Sequence, residues 1–312
     1  MTRSTDALHS VLWPVGSTAG HLGTTRIGRR EFAWGSQTFV MGIINATPDS
    51  FSGDGLLDAA GSRAGDPASA AIAGGVGLAI SMVAAGAAIV DIGGESTRPG
   101  HAEIDVPDEV DRVVPLIRAV RSALPNTPIS IDTTKPEVAA AALEAGADLI
   151  NDIWGVADDD SMVQLAARHR VPIVLMHNRK EARYTDLVAE VIADLEGAID
   201  RALSAGIARK DILIDPGFGF GKTPEHNLAI LRELPQLAVL GRPILLGTSR
   251  KSTLGKVLDL PVDQRLEATL ATTALGIAGG ADIVRVHDVR ENVRTARMAD
   301  AVVRGTWQEE PR

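Results

Sequence analysis

Short apolar runs recur along the chain, each with a polar end and most followed by a turn and a stretch of helical period. The runs are TFVMGIIN (38–45), AAIVDIGG (87–94), PISIDT (128–133), DLINDI (148–153), PIVLMH (172–177), ILIDPG (212–217), PILLGTS (243–249) and IVRVHD (283–288). Most are nearly continuous in apolar residues. Parallel strands covered on both faces read this way, whereas a strand with one wet face alternates. Between the runs, Lys135 to Ala145 is rich in Ala around Val138 and Leu143. From Thr185 to Ala205, Leu187, Val188, Val191, Leu195, Ile199 and Leu203 fall at helical spacing. A last helix is expected over Asn292 to Arg304, stopping before Gly305. This order predicts an α/β fold, a (β/α)8 TIM barrel, in preference to a doubly wound open sheet. The stretch before residue 38 reads as a short extended hairpin. Residues 1–25 are expected to form a loosely ordered extension and 26–312 a single domain, because no long polar linker divides the chain.

Composition narrows this picture. A chain of 312 residues suits one large α/β domain. Aromatics are only 3%, so the core must be built from Ala, Val, Leu and Ile. The absence of cysteine excludes disulfides, thiolate metal sites and a cysteine nucleophile, and fits the reducing cytoplasm expected as the location. No basic flank leads into an apolar segment at the N-terminus, so no signal peptide is expected. From Pro67 to Val90 there is no charge, a length that could cross a bilayer. Gly74, Gly75, Gly77 and Gly86 interrupt it, and a buried helix followed by a buried strand is the expectation, with no membrane partner. A net charge of −9 with few aromatics argues against nucleic acid. Cations at a site for an anionic substrate must then act locally against the global field.

Polar residues cluster where the runs end: Asn45, Glu95 with Thr97 and Arg98, Asp132, Asn151 with Asp152, His177, Asp215, Ser249 with Lys251, and Arg285 with His287. In a barrel these ends converge on one rim, where barrel enzymes place their active sites. Each residue also has a structural reading. Asp132 and Asp215 could cap helices, although Pro216 and Gly217 delay any helix after Asp215. Asn151 could be a satisfied structural amide, His177 a packing residue, and Glu95 an ion-pair partner. Arg285 lies between Val284 and Val286 and, if turned inward, needs an anion: a ligand phosphate or a carboxylate of the chain. Arg285 and His287 are two apart, so they share a face of their strand.

The segment GFGFGKT (217–223) resembles a nucleotide phosphate loop, but Pro216 stands where the first glycine belongs and removes an N–H from the cradle. Its glycines also miss the dinucleotide spacing. No His, Cys and carboxylate spacing suggests zinc.

The motifs MGIINATPDSFSGDG (41–55), DIGGESTRPG (91–100), SIDTTKP (130–136), NDI (151–153), LMHNR (175–179), DPGFGFGK (215–222), GTSRKS (247–252) and RVHD (285–288) together resemble the dihydropteroate synthase family, in that family's order and from about residue 38 to 304. The resemblance implies a transferase of folate biosynthesis that joins a pterin diphosphate to p-aminobenzoate, is the target of sulfonamides and works as a homodimer. It implies a pterin pocket of Asp132, Asn151, Met176, Asp215 and Lys251. Asn45, Thr97, Arg98, Arg285 and His287 would hold the diphosphate, with Asn45 on a Mg2+ cofactor. Thr97, Arg98, Pro99, Phe220 and Ser252 would form the p-aminobenzoate side, and Thr47, Pro48, Asp49 and Ser50 a mobile loop. Asp132, Asp215, Lys251, Arg285 and His287 would carry the catalysis. The chain departs from the family in an extra stretch, LLDAAGSRAGDPA, at 56–68. Nearby alternatives are a corrinoid methyltransferase that binds methyltetrahydrofolate, and a non-catalytic pterin-binding relative.

Overall fold

The computed structural model describes residues 22–46, 67–95, 104–157 and 159–307. An antiparallel hairpin comes first, β1 (Thr24–Ile27) with β2 (Arg30–Ala33). It starts ahead of the domain boundary expected at residue 26. Eight strands follow: β3 (Phe39–Asn45), β4 (Ile89–Gly93), β5 (Ile129–Asp132), β6 (Leu149–Asp152), β7 (Ile173–Met176), β8 (Ile212–Asp215), β9 (Leu245–Leu246) and β10 (Ile283–Val286). All pair in parallel, in the order β8-β7-β6-β5-β4-β3-β10-β9. A bridge between Ile214 and Ile244 joins the two ends, with Ile214 N donating to Pro243 O at 3.0 Å. The result is the expected α/β TIM barrel. Each of the eight apolar runs contains one strand. The seventh is cut to two residues, because the chain turns after Gly247, with Lys251 N donating to Thr248 O at 3.2 Å.

The outer layer consists of α1 (Pro67–Ala84), α2 (Val106–Ala123), α3 (Pro136–Ala145), α4 (Ser161–His169), α5 (Leu187–Ser204), α6 (Pro224–Arg232), α7 (Ser252–Leu258), α8 (Leu266–Ala278) and α9 (Val289–Val303). Local chemistry sets their ends. Pro136 opens α3, where a missing N–H costs nothing, and Gly146 closes it at φ 116°. Thr223 caps α6 by accepting from His226 N at 3.2 Å. The charge-free α1 is a surface helix, contrary to the expectation of a buried one. It buries Gly75, Ala79 and Met82 and leaves Ile80 exposed. Ala and Gly are small enough to sit on a wet face at little cost. No helix among the described residues is long and apolar enough to cross a membrane.

The alternation along each strand sorts residues into two cores. Val90, Ile92, Ile129, Ile131, Val284 and Val286 point outward into the layer packed by the helices. Met41, Ile89, Leu149, Val174, Leu213, Leu245 and Ile283 point inward and fill the lower barrel. The hairpin plugs that lower end with Ile27, Phe32 and Trp34. Phe32, Trp34 and Phe39 are in mutual ring contact at 4.8–5.6 Å, and Trp34 Nε1 donates to Thr25 Oγ1 at 2.8 Å. One step further along the same inward faces the residues turn polar: Asp91, Asp132, Asn151, Asp215 and Arg285. Apolar packing below thus leaves the upper barrel as the place for chemistry.

Candidate active site

Arg285 stands at the centre of the polar layer. Its side chain is 16% exposed, and its fork reaches two carboxylates: Nε to Asp91 Oδ2 and Nη2 to Asp132 Oδ2, each at 2.5 Å. The anion that an inward arginine requires is therefore supplied by the chain itself. Asp91 is fully buried and also accepts from Asn151 Nδ2 at 3.3 Å. Sequence reasoning missed Asp91. The signal was there, a charge inside the apolar run AAIVDIGG, the same feature that singled out Arg285. Desolvation pushes the Asp132 carboxyl up to about 6; Arg285 opposes that shift and Asp91 adds to it. Asp132 caps no helix, since Lys135 occupies the position before α3.

Asp215 closes β8 and accepts from Gly217 N at 2.7 Å. Burial raises it to about 6, against that hydrogen bond and the nearby Lys251, Lys222 and Arg285. The loop that follows carries Gly217, Gly219 and Gly221, all at positive φ. A Cβ at Gly217 would lie 1.8 Å from the His177 carbonyl oxygen, and one at Gly221 2.2 Å from that of Arg179. These glycines serve close packing against the end of β7, which explains the false likeness to a nucleotide loop. Lys222 turns back on its own loop and donates to Gly217 O at 3.1 Å and Phe220 O at 3.2 Å. Its Nζ also lies 2.9 Å from His177 Nδ1. His177 faces away from the barrel, is fully buried and meets Asp194 of α5 at 3.2 Å, so it has the packing role. Burial and Lys222 hold the His177 imidazole down at about 4, and burial lowers Lys222 to about 7. Glu95 pairs with Lys135 at 2.5 Å, the ion-pair reading.

The third wall is the turn after β9. Lys251 Nζ lies 3.8 Å above the Phe220 ring, a cation–π contact that joins this turn to the glycine loop. Ser249 Oγ lies 3.0 Å from His287 Nδ1 and accepts from His287 N at 3.2 Å. Arg250, at φ 57°, pairs with Asp288 at 2.6 Å, and Arg265 donates to the carbonyls of Arg250 and Leu260 at 3.0–3.1 Å. A cavity of about 270 Å³ opens here, with Asn45, Asp132, Lys251, Ser252, Arg285 and His287 in its wall. Met176 points inward from β7 and is buried.

The barrel thus brings Asn45, Asp132, Asn151, Met176, Asp215, Phe220, Lys251, Ser252, Arg285 and His287 to one end. Thr97, Arg98 and Pro99, and Thr47, Pro48, Asp49 and Ser50, lie outside the described residues, as does most of the extra stretch at 56–68. No group of three or more His, Cys, Asp or Glu placed to hold a metal occurs among the described residues. Asn45, half-buried at the cavity, offers one hard amide oxygen. That donor fits a Mg2+ held mainly by substrate phosphates and water, as Mg2+ commonly is.

Residues 41–287 match the model of the pterin binding enzyme family. The dihydropteroate synthase of Clostridium beijerinckii is 47% identical over 284 residues, covering 89% of this chain and 99% of that one. The Bacillus subtilis dihydropteroate synthase is 48% identical over 267 residues, 86% of this chain and 89% of that one. Among solved structures, a Clostridium difficile dihydropteroate synthase determined in the presence of pteroic acid is 45% identical, with a TM-score of 0.79 over 88% of this chain and 99% of that one. A Xanthomonas albilineans dihydropteroate synthase with 4-aminobenzoic acid is 40% identical, with a TM-score of 0.77 over 85% and 93%.

Proposed function

The chain belongs to the pterin-binding enzyme family, and on that premise we infer that it condenses 6-hydroxymethyl-7,8-dihydropterin diphosphate with p-aminobenzoate. The products are 7,8-dihydropteroate and diphosphate, and the enzyme is a transferase of folate biosynthesis. The observation that carries this reading is the convergence of Asp132, Asn151, Asp215, Lys251 and Arg285 at one end of a barrel whose other end is packed shut.

A pterin edge presents a ring N–H beside an exocyclic NH2. Asp215 suits that edge, since a carboxylate accepts both donors at once. Asn151 offers a donor and an acceptor to the other edge, and Lys251 a cation to the pterin carbonyl. Departure of diphosphate leaves positive charge on the pterin methylene. Asp132 and Asp215, both buried, stabilise that charge more strongly than water would. His287 and Asn45 face the cavity on the diphosphate side. Arg285 reaches the same side from between its two carboxylates, so its cation is held in place before substrate arrives. Bound at Asn45 and the diphosphate, Mg2+ would supply charge for the leaving group. The arylamine nitrogen of p-aminobenzoate attacks from the side of Phe220 and Ser252, and no enzyme nucleophile is needed.

The proposal includes a homodimer in the cytoplasm. A largely apolar groove between α8 and α9, lined by Ala274, Ala278, Met298, Ala299 and Val302 with Arg294 and Thr295, supports the dimer, and its Met298 and Val302 are exposed. Inhibition kinetics with a sulfonamide test the arylamine side. The inhibitor should raise the KM for p-aminobenzoate and leave kcat unchanged; inhibition independent of p-aminobenzoate would remove that assignment.

A further inference from the structure

The lysine of the false nucleotide loop has no role in the reading above. Lys222 points away from the cavity, and its amine meets Gly217 O at 3.1 Å, Phe220 O at 3.2 Å and His177 Nδ1 at 2.9 Å. His177 Nε2 faces the Asp194 carboxylate at 3.2 Å, and Arg179 binds the same carboxylate oxygen at 2.8 Å and 3.0 Å. A carboxylate only accepts, so the imidazole proton sits on Nε2, and Nδ1 is left as an acceptor. Three acceptors therefore surround Lys222, and an ammonium has three donors. Tyr184 OH closes the same loop by donating to Gly221 O at 2.8 Å.

What this latch holds is Phe220. Lys222 grips the Phe220 carbonyl, and the Phe220 ring lies under Lys251 Nζ at 3.8 Å. The glycines at 217, 219 and 221 leave the loop little stiffness of its own, since each adopts a φ that glycine alone takes easily. An anchor from outside the loop must then fix the ring, and α5 supplies it through Asp194 and His177.

We propose that Lys222 is a positioning residue for the arylamine side of the site: by tying loop 217–222 to His177 it fixes the Phe220 ring and, through it, the Lys251 ammonium. This rests on the assignment of Phe220 to p-aminobenzoate above. The test measures, in the purified full chain, KM for p-aminobenzoate, kcat, pterin affinity by calorimetry and thermal midpoint. It uses Lys222→Met, Phe220→Ala and the pair His177→Leu and His177→Asn. Lys222→Met should raise KM for p-aminobenzoate at least tenfold, as Phe220→Ala should, with pterin affinity changed less than threefold. His177→Leu should reproduce that rise. His177→Asn, whose Oδ1 still accepts from Lys222, should stay within about threefold of the wild type. The His177 pair decides the matter if Lys222→Met does not fold. An unchanged KM in Lys222→Met beside a raised one in Phe220→Ala overturns the proposal, as do equal losses for both ligands or equal effects of Leu and Asn at 177. An unchanged KM in Phe220→Ala removes the arylamine assignment instead.

Discussion

Asp215 has two tasks in the structure. It fixes the start of the glycine loop through Gly217 N, and its carboxylate stays at the end of β8, 5% exposed. Replacing it by Asn keeps the oxygen that Gly217 can use but removes the charge and sets an amide donor against the donors of the pterin. A charge-assisted pair of this kind contributes roughly 1.5–3 kcal/mol, so Asp215→Asn should weaken pterin binding by about ten- to a hundredfold. Circular dichroism should remain native, and calorimetry showing unchanged affinity would refute the assignment. Much of the site was legible at this scale because inward polar residues at strand ends are rare without a purpose. The partners of those residues were not legible. That Arg285 lies between Asp91 and Asp132 depends on three strands meeting across a barrel, 194 and 153 positions apart in sequence. Likewise the packing role of His177 emerged only from Asp194 and Lys222, on two other segments.

At the scale of elements, hydrophobic pattern located every barrel strand, and turn chemistry explains where it overshot. The run 243–249 reads as a full strand, but only Leu245–Leu246 pairs as one, and the remainder builds the Ser249–His287 and Lys251–Phe220 contacts. The helix α1 reads as buried because it lacks charge, while burial follows only its Gly75, Ala79 and Met82 stripe. The glycine loop misleads for another reason: closely spaced glycines signal close backbone approach, whether the neighbour is a phosphate or another strand. Gly217→Ala tests that reading. Its left-handed backbone costs a non-glycine residue about 1–2 kcal/mol, and the new Cβ would also collide with the His177 carbonyl. Gly206→Ala is the control, at φ 96° with nothing within 4 Å of the added atom. Urea unfolding should show a clearly larger stability loss for Gly217→Ala than for Gly206→Ala. Equal losses would mean that the loop yields and the close packing is unimportant.

For the whole molecule, the division of the barrel interior decides where function can lie. One end is filled by the hairpin and the aromatic cluster, and the other keeps its polar layer beside an open cavity. The polar end gathers the cations Lys251 and Arg285, with His287 beside them, in a chain whose net charge is −9, so local cations must outweigh the global field to bind an anion. The exposed Met298 and Val302 on α9 are a second feature beyond the reach of sequence, since the helical repeat alone does not show which apolar side a neighbour covers. If a second copy covers them, sedimentation equilibrium should give a dimer for the wild type and a monomer for Val302→Glu; a monomeric wild type would rule this face out. The most direct measurement of the central claim is product formation by the purified protein with Mg2+, the pterin diphosphate and p-aminobenzoate. Dihydropteroate and diphosphate should appear in equal amounts when both substrates are present, with no dihydropteroate formed when p-aminobenzoate is omitted. A protein that binds the pterin diphosphate but forms no dihydropteroate would contradict it.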